Sequence, residues 1–348
     1  MFFVALLIVG WLADLVLNPF LQFMILLLMI NMILGMSLNL VNGFAGQFSL
    51  GHAGFMAIGG YVSASLAEIW WSRIGAVGGL LQIPFFIGLA LIAGGAAALA
   101  GWVVGLPSLR LKGDYLAIVT LGFAEIIRVI LLNTEAVGGA RGFYDIKGPG
   151  DLRLGPLVVS QFLQFFAMTL FWVILCFVTI WRLVRSAHGR GFLSVRDDEI
   201  AAQAMGINTT QAKVRAFALS SFFAGVAGSI FAHNVGYLSP SSFGFNRSVD
   251  AVIIVVLGGM GSLSGSLLAA TLVTLIPELL RPVQDLTGVD VRMIIYSFLL
   301  ILMMILRPAG LCGSHELPEI WKKFALTRRA WAAKNMAGRQ GRPSVPRV

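Results

Sequence analysis

Long apolar stretches follow one another along almost the whole chain: Phe2–Leu17, Phe20–Leu40, Phe48–Ile69, Pro84–Gly105, Tyr115–Leu132, Gln161–Val184, Ala216–Val235 and Arg292–Arg307. An α-helix rises about 1.5 Å per residue, so it needs about 20 apolar residues to cross the hydrocarbon core of a bilayer. Lipid offers no hydrogen bonds, and runs of this length satisfy their backbone there as helices. Charged residues make up 12% of the chain against 58% apolar, too little charge to cover a soluble protein of 348 residues. The expected class is therefore an all-α polytopic membrane protein. The opening MFFVALLIVGW has no positive flank and no small-residue exit, so it reads as a first span rather than a cleaved signal.

One further stretch, Val249–Leu280, is too long for a single crossing. It is interrupted by GGMGSLSG at Gly258–Gly265, where glycines free the backbone to leave the helix. Such breaks persist inside a membrane only when buried in protein or lining a cavity. A similar break, Gly43-Phe-Ala-Gly46-Gln-Phe-Ser49-Leu-Gly51, stands near the start. The pair reads either as an internal repeat of the kind transporters use or as coincidence in a glycine-rich chain.

Charge orients these segments. Arg182, Arg185, Arg190, Arg196, Lys213 and Arg215 crowd the polar island Gly189–Arg215, and basic loops stay cytoplasmic. Counting back puts the amino terminus inside, and Arg110 and Lys112 with it. Val249–Leu280 must then cross twice if the basic tail is also inside, so about ten transmembrane segments are expected, with discontinuous helices among them. The domain reading is a membrane domain over residues 1–312, containing the loop 185–215, and a basic tail over 313–348. That tail is expected to be disordered and cytoplasmic, against anionic membrane lipid. The net charge of +9 sits in loops and tail, which argues against nucleic acid as the partner.

Several chemistries lack their residues. No lysine follows the glycine run of a phosphate-binding loop, so the chain does not hold ATP in that way. His52, His188, His233 and His315 are scattered, and Cys176 and Cys312 are isolated, so no metal set is expected. No nucleophile elbow is present. No catalytic residues are expected and the chain reads as a non-enzyme.

The polar island has a mechanical reading. Asp197, Asp198 and Glu199 stand in the first turn of a helix expected to run to Met205, where carboxylates suit the positive end. Ala201, Ala202, Ala204 and Met205 offer a small apolar surface, Gly206 stops the helix, and Asn208–Thr210 can cap the next one. With Arg196 this forms a helical elbow that a soluble partner could push. A solvated connector between spans is the alternative.

Polar residues inside the spans are the other candidates. Asn39, Asn42, Gln47, Ser49 and His52 around the first break, and Gly258, Gly259, Gly261 and Ser262 in the second, either line a translocation path or satisfy unwound backbone. Glu125 and Arg128 stand three apart on one helix face and can neutralise each other, which favours a structural pair. Asp250 and Glu278 are expected near the water interface. Gly54, Gly59, Gly60, Gly225, Gly228 and Gly94–Ala98 are expected to let helices pack closely.

Here the residues reach a family. EIAAQAMGIN at Glu199–Asn208 resembles the E-A-A-x-x-x-G motif of ATP-binding cassette importer permeases, with Ile200 inserted between the acid and the alanine pair. LNLVNGFAGQFSLGHAGFMAIGGY (Leu38–Tyr61), LRLKGDYLAIVTLGFAEIIR (Leu109–Arg128) and VLGGMGSLSGSLLAA (Val256–Ala270) are similar to LivM-type branched-chain amino acid permeases. The resemblance runs from about Leu26 to Gly310. It implies a multi-pass protein of the bacterial inner membrane, moving branched-chain or related amino acids. It also implies a homologous second permease, two ATP-binding subunits that hold ATP and magnesium, and a periplasmic substrate-binding protein meeting the loop Asn133–Ser160. Arg196–Gly206 would be the coupling helix seated in an ATPase cleft. A permease of the same family for urea or short amides, and a self-sufficient proton-coupled transporter using His52, Glu125 or Glu278, are the competing readings.

Overall fold

The computed structural model describes residues 10–74, 82–108, 111, 113–150, 152–154 and 157–279, with 297–298, 301–302, 305–307, 309–313 and 316 beyond them. The expected first span Phe2–Leu17 and last span Arg292–Arg307 lie largely outside the described residues, as does the tail expected over 313–348. The protein is built of helices: α1 (Pro19–Asn39), α2 (His52–Ile74), α3 (Gln82–Ser108), α4 (Asp114–Asn133), α5 (Gln161–Arg185), α6 (Ala187–Asp197), α7 (Glu199–Ala204), α8 (Thr209–Val235), α9 (Phe245–Gly258) and α10 (Leu263–Leu279). Its small antiparallel hairpin, β1 (Leu152–Leu154) with β2 (Leu157–Val159), pairs Leu152 with Val159.

Among the described residues six helical segments are long and apolar enough to cross a membrane: Pro19–Phe44, Gln82–Ser108, Asp114–Asn133, Gln161–Arg185, Thr209–Val235 and Pro240–Gly258. That is fewer than the ten read from the sequence. Helix α2 has the length, at 23 residues, but Ser63 and Glu68 dilute its apolar character. Helix α10 is apolar but only 17 residues long.

Helix α8 runs through the centre, packed by α1, α2, α3 and α5. The expected small residues make that packing close. A Cβ on Gly59 of α2 would overlap the Gly225 backbone of α8, and one on Gly228 would overlap the Met56 carbonyl. Gly225 in turn faces Ala93 and Ala97 of α3. In lipid this close approach supplies the dispersion contacts that hold helices together. A buried polar chain links these helices: Ser63 Oγ lies 2.7 Å from Ser229 Oγ and 2.8 Å from His233 Nε2, and His233 Nδ1 lies 2.7 Å from the Lys147 carbonyl.

The two ends of the bundle differ. At one, the loop after α4 is tied to the loop after α8: Phe143 N–H donates to the Leu238 carbonyl at 2.7 Å, Leu238 N–H returns a bond at 2.9 Å, and the Tyr144 and Tyr237 rings lie 4.5 Å apart. At the other end sit α6, α7, a π-helical turn at Leu40–Phe44, and the break between α9 and α10.

Candidate functional site

The α6–α7 elbow is organised by local capping. Ser186 accepts the Gly189 N–H and starts α6, which buries Phe192 and Val195. The expected single helix from Asp197 is instead divided. Asp197 ends α6, and Asp198 is extended, its carboxylate accepting the Ile200 and Ala201 N–H groups. A short acceptor side chain at an extended position satisfies first-turn donors better than a helical one does. Gly206 takes a left-handed φ of 82°, and Asn208 accepts the Gln211 N–H to start α8.

The elbow has an inner and an outer face. Ala202, expected on the docking surface, is buried at 4% exposure. Ile200, at 74%, and Met205, at 83%, are the large apolar groups left outside, beside exposed Ala201. A helix turns 100° per residue, so positions 201 and 205 share a face that 202 only flanks. The residue that interrupts the alanine motif is thus part of the exposed apolar surface.

Three links run from the elbow into the bundle. Lys213 Nζ of α8 lies 2.7 Å from Glu199 Oε1, and its side chain is 2% exposed. Gln203 donates to Thr209 Oγ1 at 2.9 Å. Arg196 donates to the Gly43 carbonyl at 3.3 Å while its other nitrogen pairs with Asp197 at 3.0 Å. A Cβ on Gly46 would overlap the Arg196 side chain, and one on Gly261 would lie 3.4 Å from its guanidinium. Arg196 therefore bonds the first glycine break and stands beside the second.

The two breaks meet each other directly. Asn39 Nδ2 donates to the Ser262 carbonyl and to Ser266 Oγ, both at 2.8 Å, and its Oδ1 accepts the Gly261 N–H at 2.9 Å. Gly259 and Gly261, at φ 106° and 91°, make the turn that a side chain would strain. Gly258 packs against the Gly265 backbone. After the π turn the chain runs without helix from Gln47 to Gly51, held by Ser49 N–H donating to Asn42 Oδ1 at 3.1 Å and Leu50 N–H to Thr120 Oγ1 at 3.1 Å. His52 Nε2 lies 2.8 Å from Ser37 Oγ. Asn39, Asn42, Ser49, His52 and Ser262 are all buried, while Gln47 is half-buried and bonds the Ala45 carbonyl at 3.3 Å. These polar groups satisfy backbone or one another. Away from them, Arg128 donates to Glu125 at 2.6 Å on the half-exposed side of α4.

A second polar group escaped the sequence reading. Arg247 of α9 donates to Asn31 Oδ1 of α1 at 3.0 Å, and Asn31 Nδ2 donates to Thr274 Oγ1 of α10 at 2.9 Å. Asp250, one turn on, feels the Arg247 charge without a direct bond to it and is half-buried. The i, i+3 spacing of Arg247 and Asp250 was visible in the sequence, but the reach of Arg247 across to Asn31 was not. Among the described residues there is no group of three or more His, Cys, Asp or Glu placed to hold a metal.

Comparison with known proteins adds ancestry to this geometry. Residues 20–306 match the family model described as branched-chain amino acid transport system / permease component. The chain is 40% identical over 308 residues to the high-affinity branched-chain amino acid transport system permease protein LivM of Escherichia coli, covering 82% of this chain and 68% of that protein. It is 25% identical over 330 residues to the probable branched-chain amino acid transport permease protein LivM of Methanocaldococcus jannaschii, covering 84% and 93%. The autoinducer 2 import system permease protein LsrC of Salmonella typhimurium is 28% identical over 203 residues, 56% of each chain. No solved structure matches.

Proposed function

This chain belongs to the family of branched-chain amino acid transport system permease components, and we propose that it is one of two homologous permeases in an ATP-driven importer that moves leucine, isoleucine, valine or related amino acids. It would lie in the bacterial inner membrane with about ten crossings and both termini cytoplasmic, as the basic loops and the even crossing count require. Two ATP-binding subunits would hold ATP and magnesium, and a periplasmic binding protein would deliver substrate to the end that carries the Phe143–Leu238 bridge.

One observation supports the coupling role above the rest. The elbow presents Ile200 and Met205 outward while Arg196 and the Lys213–Glu199 pair tie it to the two glycine breaks and to α8. A surface displaced by nucleotide-driven closure would thereby move the broken helices together. Such a link is a coupling free energy between separate sites, and a partner that grips the elbow differently in its two states biases the channel.

The proton-coupled reading finds less support, because His52 is buried against Ser37 and Glu125 is paired with Arg128. The first experiment is a mild-detergent purification of the tagged chain with mass spectrometry of what accompanies it, followed by uptake assays on the recovered assembly. Recovery of a second permease and two ATPases, with ATP-dependent leucine uptake, is expected. Uptake by the chain alone would overturn the proposal, and ATP-driven uptake of urea or short amides in place of leucine would overturn its substrate class. Within the assembly, Met205→Glu and Ile200→Glu should abolish substrate-stimulated ATP hydrolysis while insertion is retained.

A further inference from the structure

Arg247 and Asp250 are half-buried in the first turns of α9. Asp250 stands eight residues before the inner end of α9 at Gly258, about 12 Å along the axis at 1.5 Å per residue. Arg247 bonds Asn31, which stands eight residues before the end of α1 at Asn39, at a matching depth of about 12 Å. Since Asn39 and the Gly258–Ser262 break are bonded to each other, both counts start from one level. Arg247 also lies over the Phe231 ring of α8, 5.8 Å from its centroid, so the pair stands between the glycine breaks and the end of the bundle that carries the Phe143–Leu238 bridge. Ionisable groups within an apolar span such as Pro240–Gly258 are costly and are candidates for function.

They also face an opening. Ser241, Ser242, Asn246, Arg247 and Asp250 line a recess of about 280 Å³ where the chain after α8 turns into α9. Among the described residues no hydrogen bond or ion pair reaches the Asp250 carboxylate, and Arg247 spends one nitrogen on Asn31. Immediately inward on the same helix, Val249, Val252, Ile253 and Val256 join Leu50 around a second recess of about 350 Å³ that is almost wholly apolar. Asn246, Asp250 and Ile253 follow the i, i+4, i+7 pattern, so the polar and apolar recesses adjoin along α9 at Ile253.

We propose that this side of α9 is a transit site for the substrate, with Asp250 receiving the α-ammonium group, Arg247 and the Ser241–Ser242 hydroxyls receiving the α-carboxylate, and the apolar recess receiving an aliphatic side chain. The ligand class is a zwitterionic α-amino acid with a branched aliphatic side chain. The site rests on the importer reading and sharpens it, because a neutral amide such as urea would leave Asp250 unpaired.

The test is thiol protection of the full-length chain in native membranes. Ser242→Cys, on an exposed position, is reacted with a water-soluble methanethiosulfonate; Cys176 and Cys312 are buried. Millimolar leucine should slow labelling severalfold, while 4-methylpentanoate and 3-methylbutylamine, each carrying half the zwitterion, should protect much less. Adding Asp250→Asn should remove the protection by leucine, and Asp250→Glu should restore part of it. Labelling that leucine leaves unchanged, or protection that survives Asp250→Asn, would overturn the site. This readout needs neither ATP nor the partner subunits. It therefore fails separately from the importer reading, which fails on uptake and co-purification.

Discussion

Lys213 and Glu199 form a buried ion pair, 2.7 Å between Nζ and Oε1, that joins the short helix α7 of the elbow to the base of the central helix α8. The two partners are unequally buried: the Lys213 side chain is 2% exposed and that of Glu199 is 20% exposed. Removing the carboxylate strands an ammonium group that water cannot reach, whereas removing the ammonium leaves a carboxylate that can partly rehydrate.

An asymmetry follows. Glu199→Gln should destabilise the elbow by roughly 3–5 kcal/mol, and Lys213→Met by a smaller amount, on the order of 2 kcal/mol, because a buried charge without its partner costs most. The double variant should recover much of the loss. Protease sensitivity of the elbow in the detergent-solubilised protein measures this order. Equal sensitivity in the two single variants would show that the pair does not hold the elbow.

Arg196 makes a different kind of link, since it reaches the Gly43 carbonyl and packs over Gly46 without being part of the span. Arg196→Ala should leave assembly intact and lower the leucine transported per ATP hydrolysed severalfold. Gly46→Ala should do the same from the other side, because its Cβ would displace Arg196 and its φ of 66° strains a side chain by about 1–2 kcal/mol. Normal transport stoichiometry in both variants would exclude Arg196 as a transmitting contact.

What was legible in the sequence was whatever short-range chemistry determines. The glycine break at Gly258–Gly265, the stop at Gly206 and the cap at Asn208 all depend on residues within a turn of one another, and each stands where its neighbours predict. The division of the elbow at Asp198 was missed because Asp197, Asp198 and Glu199 offer three acids, and only the folded backbone selects which one caps. Ala202 faces inward because α8 lies beneath it, a fact that composition does not carry. The meeting of the two glycine breaks through Asn39 joins positions more than 200 residues apart, and no local pattern announces it.

Asn39 also separates two readings of the glycine breaks. Its three bonds satisfy the Gly261 N–H, the Ser262 carbonyl and Ser266 Oγ, all at buried positions. Asn39→Leu removes these bonds at nearly constant volume; the Ser262 carbonyl and Ser266 Oγ keep their bond to each other, but the buried Gly261 N–H is stranded, which costs about 1–3 kcal/mol. The expected result is a clear drop in thermal stability in detergent. A lining role for Asn39 would show instead as an altered KM for leucine uptake with thermal stability unchanged.

Glu316 ties the chain beyond Arg307 back to the same region. Its carboxylate accepts the Leu263 N–H at 2.9 Å and the Ser264 N–H at 3.0 Å, and Ser264 Oγ donates to it as well. These are first-turn donors of α10, where the helix dipole favours an anion and no earlier residue of the tight Gly259–Ser262 turn brings a carboxylate. The approach is set by Leu311 N–H donating to the Leu257 carbonyl at 2.8 Å and Cys312 N–H to that of Gly258 at 3.2 Å. Glu316→Ala should therefore cost roughly 1–2 kcal/mol, the usual size of a lost helix cap. Ending the chain after Glu316 should leave thermal stability near that of the full-length protein, whereas ending it after Gly313 should reproduce the loss. Matching melting temperatures for the two truncations would show that the carboxylate does not stabilise α10, and would locate any contribution of the tail elsewhere.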